Sequence, residues 1–433
     1  MSESYGKKNP ALESALSKST ADFYAPAGSD VLSRMDAYYS WVENRIRTDT
    51  WLYSRVQTSR PAPVITVRDA GHRQMEAVNF ASQDYLGLSA HPDVINAAAE
   101  ALHRYGPHSA GSPMFMGETD LVPQLEEKLQ ELTGMEHVLI FPTGWAAGFS
   151  SLTGLVGKND YIIMDRLAHA CLRQGAYAAT TNIFKFDHLD HEGARKVLAS
   201  IRTKDTVNSI LVVSEGLFSM NADTPDIRKL QEICHEFDAR LLVDVAHDLG
   251  ATGPEGSGQP GIQDMKGRVD LVMGSFSKTF ASSGGFIATH SAAVKEYLKM
   301  YAGPYLFSNA ISPVQTAAAL QASRIVTASE GAALRALSLG NALHMRARFS
   351  SNNHHCPGIA APIVLVPVGS ERHARLSHGL LMKKNVAAMI VEYPVVPLSE
   401  ARIRLQLMST HTIGQINDAV DHICEVLDEV RKK

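Results

Sequence analysis

Lys278 closes the apolar run DLVMGSFSK and is followed by Ser282-Ser283-Gly284-Gly285. A lysine at the end of a buried strand, away from any charged helix face, loses water around its ammonium. Its pKa then falls, and the amine becomes a nucleophile able to form an imine with a carbonyl. Asp244 ends the run RLLVD, with His247 three residues on. A carboxylate so placed needs a cationic nitrogen as partner, because burial alone drives it to its neutral form. Thr143-Gly144-Trp145 follows HVLIF directly and precedes a helical pattern reaching Val156. Free N–H groups at a helix start, beside a residue with no side chain, make a seat for a phosphate dianion. Singly, each also reads as ordinary architecture: a solvated lysine, a capping aspartate beside a satisfied histidine, a tight strand-to-helix turn.

Two other motifs point elsewhere. Gly256-Ser-Gly258-Gln-Pro-Gly261 matches the dinucleotide fingerprint G-x-G-x-x-G, but it begins several residues after its strand, contains Pro260 and opens no recognisable helix, so a flexible loop is expected there. His354, His355 and Cys356 adjoin one another, and neighbours in sequence rarely converge on one metal; a polar loop without metal is expected. Cys171, Cys234, Cys356 and Cys424 lie far apart with no C-x-x-C pair, which fits free thiols in a reducing compartment.

The elements that must position these residues follow from periodicity. From about 79 to 310, helical patterns alternate with HVLIF (137–141), YIIMD (161–165), SILVVSEG (209–216), RLLVDVAHD (240–248), DLVMGSFSK (270–278) and GFIAT (285–289). These runs are short, rich in β-branched residues and mostly without polar alternation, as in strands covered on both faces. One helix carries Val94, Ala98, Ala101, Leu102 and Tyr105 between His91-Pro92-Asp93 and Gly106; another carries Leu121, Leu125, Leu129 and Leu132 before Gly134. An earlier amphipathic helix is expected over 31–47, with Val31, Leu32, Met35, Tyr38, Tyr39, Val42 and Ile46 on its apolar face, and SRPAP at 59–63 marks a boundary. After 311, IVLVPV, a helix near 371–384, VAAMIV, RIRLQLM and a helix from Thr412 suggest a smaller α+β domain. The fold class is α/β with a large, mostly parallel sheet, divided as 1–64 (N-terminal arm and helix), 65–310 (large domain) and 311–433 (small domain).

The 433 residues carry 41 Lys and Arg against 45 Asp and Glu, a formal charge of -4, so no basic field exists to hold nucleic acid or an anionic membrane. The N-terminal stretch MSESYGKKNPALESALSKST has no apolar core of signal-peptide length, and IAAPIVLVPV is too short and proline-broken to span a bilayer. A cytoplasmic protein is expected.

Gly144, His169, Ser219, Asp244, His247, Ser275 and Lys278 fall in that order, each at an expected strand end or the turn after it. At this level the chain resembles the α-oxoamine synthases, pyridoxal-phosphate enzymes of the type I aminotransferase fold. The resemblance runs from Asn79 to His411 through NFASQDYLGLSAHPDV (79–94), TGW (143–145), DRLAHAC (165–171), EGLFSMNAD (215–223), VDVAHDLGATGPEGSGQPG (243–261), GSFSKTFASSGG (274–285), FSNAISP (307–313) and ARIRLQLMSTHT (401–412). It implies that Lys278 carries the cofactor covalently, Asp244 meets its ring nitrogen and His169 lies on its ring. It also implies that His247 and Ser219 meet its phenolic oxygen, while Gly144, Trp145, Ser275 and Ser308 meet its phosphate, Ser308 from a second copy in a homodimer. Arg404 would clamp the amino-acid carboxylate, with Arg402 its rival and Arg55 or Arg60 the fallback.

Three positions depart from the family pattern. Gln83 stands where Asn is usual, Pro113 takes the place of an arginine in HSAGSPMFMG, and Val245 replaces an acidic residue. Gln83 is accordingly expected near the substrate. The implied reaction condenses an amino acid with an acyl thioester, releasing carbon dioxide; transamination, aldol cleavage and a regulatory subunit without activity are the competing readings.

Overall fold

The computed structural model describes residues 10–432, so the first nine residues of the stretch read for a signal peptide lie outside it. In chain order the strands are β1 (Val56–Gln57), β2 (Val64–Arg68), β3 (Gln74–Phe80), β4 (His137–Phe141), β5 (Tyr161–Asp165), β6 (Ile183–Phe186), β7 (Ile210–Glu215), β8 (Arg240–Asp244), β9 (Leu271–Ser275), β10 (Gly285–Thr289), β11 (Ile363–Gly369), β12 (Val386–Val391) and β13 (Ala401–Gln406). β4, β5 and β10 coincide with HVLIF, YIIMD and GFIAT. The chain divides into two compact units. One holds residues up to Ser82, Met220–Ala222 and residues from Ser338 on; the other holds Gln83–Ser219 and Asp223–Leu337.

The second unit is built on a seven-stranded sheet in the order β4-β10-β9-β8-β7-β5-β6. β9, β8, β7, β5 and β6 pair in parallel, and β10 runs antiparallel between β4 and β9. Successive residues of each strand enter different cores. Val138, Ile140, Val212, Leu241, Val243 and Val272 join one buried cluster, while Leu139, Phe141, Leu211, Val213, Leu242 and Met273 join another. Both faces being covered is why these strands read as unbroken apolar runs. The helix Pro92–Tyr105 opens on His91, whose Nδ1 accepts the Asp93 N–H, and stops at Gly106; Leu121–Thr133 stops at Gly134 in the left-handed region. Leu102, expected inward, is 44% exposed.

The first unit has a mixed sheet in the order β1-β2-β3-β12-β13-β11. Val364, Val366, Ile403 and Leu405 pack with Ile416, Val420, Ile423 and Leu427 of the helix Ile413–Arg431. Here the division differs from the sequence-based one. SRPAP is the turn between β1 and β2 rather than a boundary, and β3 pairs in parallel with β12, which brings the N-terminal region into the C-terminal unit. The helix Pro313–Thr327 stays with the second unit because Ala318, Ala319, Leu320 and Ala322 complete its larger core.

A helix Pro10–Ser17 comes first, and the helix expected over 31–47 is Asp36–Arg47, which buries a face other than the expected one. Val31, Leu32 and Tyr39 are exposed, whereas Trp41 and Arg45 are buried. Arg45 lies over the rings of Trp41 and Trp51 and faces Glu392 at 3.5 Å, and Glu392 also takes Arg375 at 2.7 Å. Burial outweighs these partners and lowers the Arg45 guanidinium to about 10. No helix of the described residues is long and apolar enough to cross a membrane.

Candidate active site

The carboxyl ends of parallel strands are where a doubly wound sheet presents its turns to a ligand. Gly144 follows β4, His169 follows β5, Ser219 follows β7, Asp244 ends β8 with His247 beyond it, and Ser275 ends β9 with Lys278 three residues on. All seven belong to the second unit and gather along that edge of its sheet.

The phosphate seat begins at Thr143, whose Oγ1 caps the helix Gly144–Thr153 by accepting the Ala146 N–H at 2.9 Å. A Cβ on Gly144 would run into Ser275 Oγ, so only glycine lets the helix start approach β9. Ser277, which sequence reasoning did not single out, places its Oγ 2.7 Å from Ser275 Oγ. Two hydroxyls beside a helix N-terminus form a cradle suited to a dianion.

Deeper along the edge lie two carboxylates. Glu215 is the register partner of Asp244, and both are buried. Burial raises both acids. Glu215 rises well above its ordinary value, with Asp244 beside it as the second cause; Lys278 and His169 oppose the rise at Asp244. Of the two, Glu215 is pushed further towards its neutral form, and Lys278 and His169 favour the charged form of Asp244. Asp244 Oδ1 also accepts the Ala246 N–H at 2.9 Å. This is the anionic site a protonated pyridine nitrogen requires.

His169 caps the helix Ala170–Ala179, its Nδ1 accepting the Cys171 N–H at 3.3 Å with the Cys171 sulfur at 3.0 Å. An accepting Nδ1 leaves the proton of the neutral ring on Nε2. The Trp145 ring stands edge-on to His169 at 6.2 Å. His247 Nδ1 is 2.8 Å from the hydroxyl of Tyr85, fully buried and another residue missed from sequence. Its signal was present, since Tyr85 lies inside NFASQDYLGL. Ser219 is buried, and Lys278, Gln83 and Ser308 are partly buried.

The G-x-G-x-x-G run is a correction. It is an ordered turn leading into the short helix Gly258–Ile262, with Gly258, Gln259 and Pro260 buried. Asp248, wholly buried, organises it: its Oδ2 accepts the Gln259 N–H at 2.6 Å, and a Cβ at Gly216 or Gly258 would meet that oxygen at 2.6 Å. Its Oδ1 has no hydrogen-bond partner among the described residues. The loop around His354 and Cys356 is likewise not plainly polar, because both side chains are buried, His354 edge-on to Phe349. Among the described residues no group of three His, Cys, Asp or Glu could hold a metal.

In the first unit, Arg402 and Arg404 share one face of β13, opposite the apolar core. Arg402 is bound to Met220 O and Asn221 Oδ1 at 3.0 Å and to Glu400 at 3.1 Å. Arg404 is 1% exposed, with Met389 Sδ at 3.4 Å and Gln406 Oε1 at 3.5 Å among its neighbours.

Comparison with known proteins agrees with this geometry. Residues 76–423 match the aminotransferase class I and II family. The chain is 33% identical over 350 residues to the serine palmitoyltransferase of Sphingobacterium spiritivorum, covering 81% of this chain and 86% of that protein. It is 32% identical over 345 residues to the 8-amino-7-oxononanoate synthase of Geobacter metallireducens, covering 80% and 87%. A solved serine palmitoyltransferase with bound pyridoxal phosphate superposes with a TM-score of 0.86 at 24% identity, over 93% of this chain and 99% of that one. A lysine three residues past one strand, a buried aspartate ending the neighbouring strand and a glycine-serine phosphate cradle, carried on this fold, place the chain in the α-oxoamine synthase family of pyridoxal-phosphate-dependent acyltransferases.

Proposed function

We propose that this enzyme condenses an α-amino acid with an acyl thioester, carried by coenzyme A or a carrier protein, to give an α-amino ketone, carbon dioxide and a free thiol in the cytoplasm. The observation carrying the proposal is the buried Asp244 ending β8, whose charged form Lys278 favours, at a sheet edge that also carries the phosphate cradle. Lys278 holds pyridoxal phosphate covalently, Asp244 meets its ring nitrogen, and His169 meets its ring face. His247 and Ser219 serve its phenolic oxygen, with Gly144, Trp145, Ser275 and Ser308 at its phosphate. Bound there, the cofactor supplies an electron sink for the bonds at the Cα of an amino acid.

This chain's residues do the rest. Asp244 would keep a proton on the nitrogen it faces. The Tyr85 hydroxyl fixes the His247 ring. Cys171 fixes the tautomer of His169, leaving the ring proton on Nε2. Lys278 Nζ would serve as the base that takes the Cα proton of the bound amino acid. Arg404 takes the substrate carboxylate in its planar fork.

The exposed Phe115 (77%), Met116 (86%) and Phe307 (86%) flank the contact between residues 111 and 310, where the Ala310 N–H donates to Gly111 O at 2.9 Å. That apolar surface supports a homodimer in which Ser308 reaches the cofactor of the second copy. The test is to add pyridoxal phosphate to the purified protein and to Lys278→Ala. A new absorbance band at the visible edge is expected in the first and not in the second, with the far-ultraviolet circular dichroism of the two alike. Turnover above a few per cent of wild type in Lys278→Ala would reject the assignment.

A further inference from the structure

A recess in the first unit lies outside everything used above. Its walls come from the turn after the helix Asp36–Arg47, the turn between β2 and β3, and the helix Glu371–Lys383. It encloses about 580 Å³, open mouth included. Arg55 lines it, partly buried, with Nη2 donating to Ala388 O at 3.1 Å and Nη1 at 3.4 Å from Met382 Sδ. No carboxylate among the described residues lies within ion-pair distance of Arg55. His378, only 7% exposed, lines the same recess without a hydrogen-bond partner among the described residues. Burial, reinforced by the charges of Arg55 and Arg45, pushes its imidazole down to about 3. The ring is therefore neutral, with one nitrogen to donate and one to accept. Trp51, Tyr53, Met75 and Met382 provide apolar wall. At the rim Arg73 pairs with Asp49 at 2.6 Å and Asp69 at 2.7 Å, and Lys383 stands 3.6 Å from Asp49.

We propose that this recess binds a small apolar monocarboxylate, its carboxylate on Arg55 and His378 and its chain along Trp51, Tyr53 and Met382. The charge count sets the class of ligand. Among the lining residues, Arg55, Arg73 and Lys383 against Asp49 and Asp69 leave one positive charge, and of the buried charges that also act on the recess Arg45 and Arg375 share Glu392, so the net field is positive and favours an anion. A phosphate or diphosphate would bring surplus charge against Asp49 and Asp69. The planar guanidinium suits a carboxylate, and an apolar chain gains by leaving water against the aromatic wall.

The test uses the full chain loaded with pyridoxal phosphate, titrated calorimetrically with hexanoate. One saturable site per chain is expected, with 1-hexanol and inorganic phosphate weaker by about tenfold or more, since each lacks half of the recognised chemistry. Arg55→Gln should weaken hexanoate by about tenfold or more, because a charge-assisted bond is lost. Asp69→Asn should tighten it by about threefold, because a repelling carboxylate is gone. No saturable hexanoate binding, or equal binding of phosphate or hexanol, overturns the proposal. So does a site lost in Arg404→Lys yet kept in Arg55→Gln, which would place the carboxylate at the substrate clamp. Should Arg55→Gln fail to fold, Asp69→Asn decides, and unchanged or weakened affinity there overturns the proposal.

Discussion

Arg402 and Arg404 stand two positions apart on β13, and only their surroundings separate them. Arg402 is committed to Met220, Asn221 and Glu400, while Arg404 sits buried against Met389 and Gln406. Arg404→Lys should weaken amino-acid binding by about tenfold or more with cofactor affinity hardly changed, because a point charge replaces a planar fork. Titrating both lysine variants with the amino acid decides it, and a crippled Arg402→Lys beside a normal Arg404→Lys would move the clamp by two residues. Asp248 offers a pH test. Burial, with Asp244 adding to it, raises its carboxyl to about 7 from 3.8. The native state thus holds a proton that the unfolded chain releases, and the contribution of Asp248 to stability falls as pH rises between those values, levelling above about 7. Asp248→Asn cannot ionise, so its stability relative to wild type should rise by up to roughly 4 kcal/mol from about pH 4 to about pH 8. Denaturant unfolding at both pH values measures this, and a constant difference would mean that Asp248 is ionised throughout. Lys278 and Asp244 were legible in the sequence because each is a charged residue among apolar ones. Glu215 was not, because its partner Asp244 is brought near only by the pairing of β7 with β8, and the Tyr85 hydroxyl, though inside a recognised run, meets His247 only in the fold; Cys171 and Ser277 lie two residues from His169 and Ser275 and were passed over.

Elements were legible where burial leaves one simple pattern. β4, β5 and β10 matched their apolar runs because the second unit covers both faces of its sheet. β6 escaped notice because it is a four-residue edge strand with Phe184 and Lys185 exposed. The helix Asp36–Arg47 misled for a different reason: its inward side includes an arginine whose charge is met by Glu392 and two indoles. Glu392→Ala leaves Arg45 and Arg375 buried without their shared carboxylate and should cost about 3–5 kcal/mol in denaturant unfolding. A loss below about 1 kcal/mol would show that the two guanidinium groups find water instead. The G-x-G-x-x-G run shows the limit of motif reading, since Gly258 makes room for Asp248, Gly256 for Val326 and Gly261 for Ser257, none of them for a dinucleotide.

At the scale of the whole molecule, the order of elements gave the α/β architecture but not the partition of the chain. β3 pairs with β12 across some three hundred residues, and periodicity carries no information about such a pairing. The exposed Phe115, Met116 and Phe307 should be covered in solution by a second copy. Sedimentation at micromolar concentration should give a dimer, and Phe307→Asp should shift it towards monomer; a fully active wild-type monomer would contradict the interface. The central claim, decarboxylative condensation, is tested most directly by carbon dioxide release. The protein, loaded with pyridoxal phosphate, is given carboxyl-labelled glycine, alanine and serine with acyl thioesters of several chain lengths. Labelled carbon dioxide should appear from one of the amino acids only when a thioester is present, with free thiol in equal amount and none of either from Lys278→Ala. Release without thioester, or thiol formed without carbon dioxide, would contradict it.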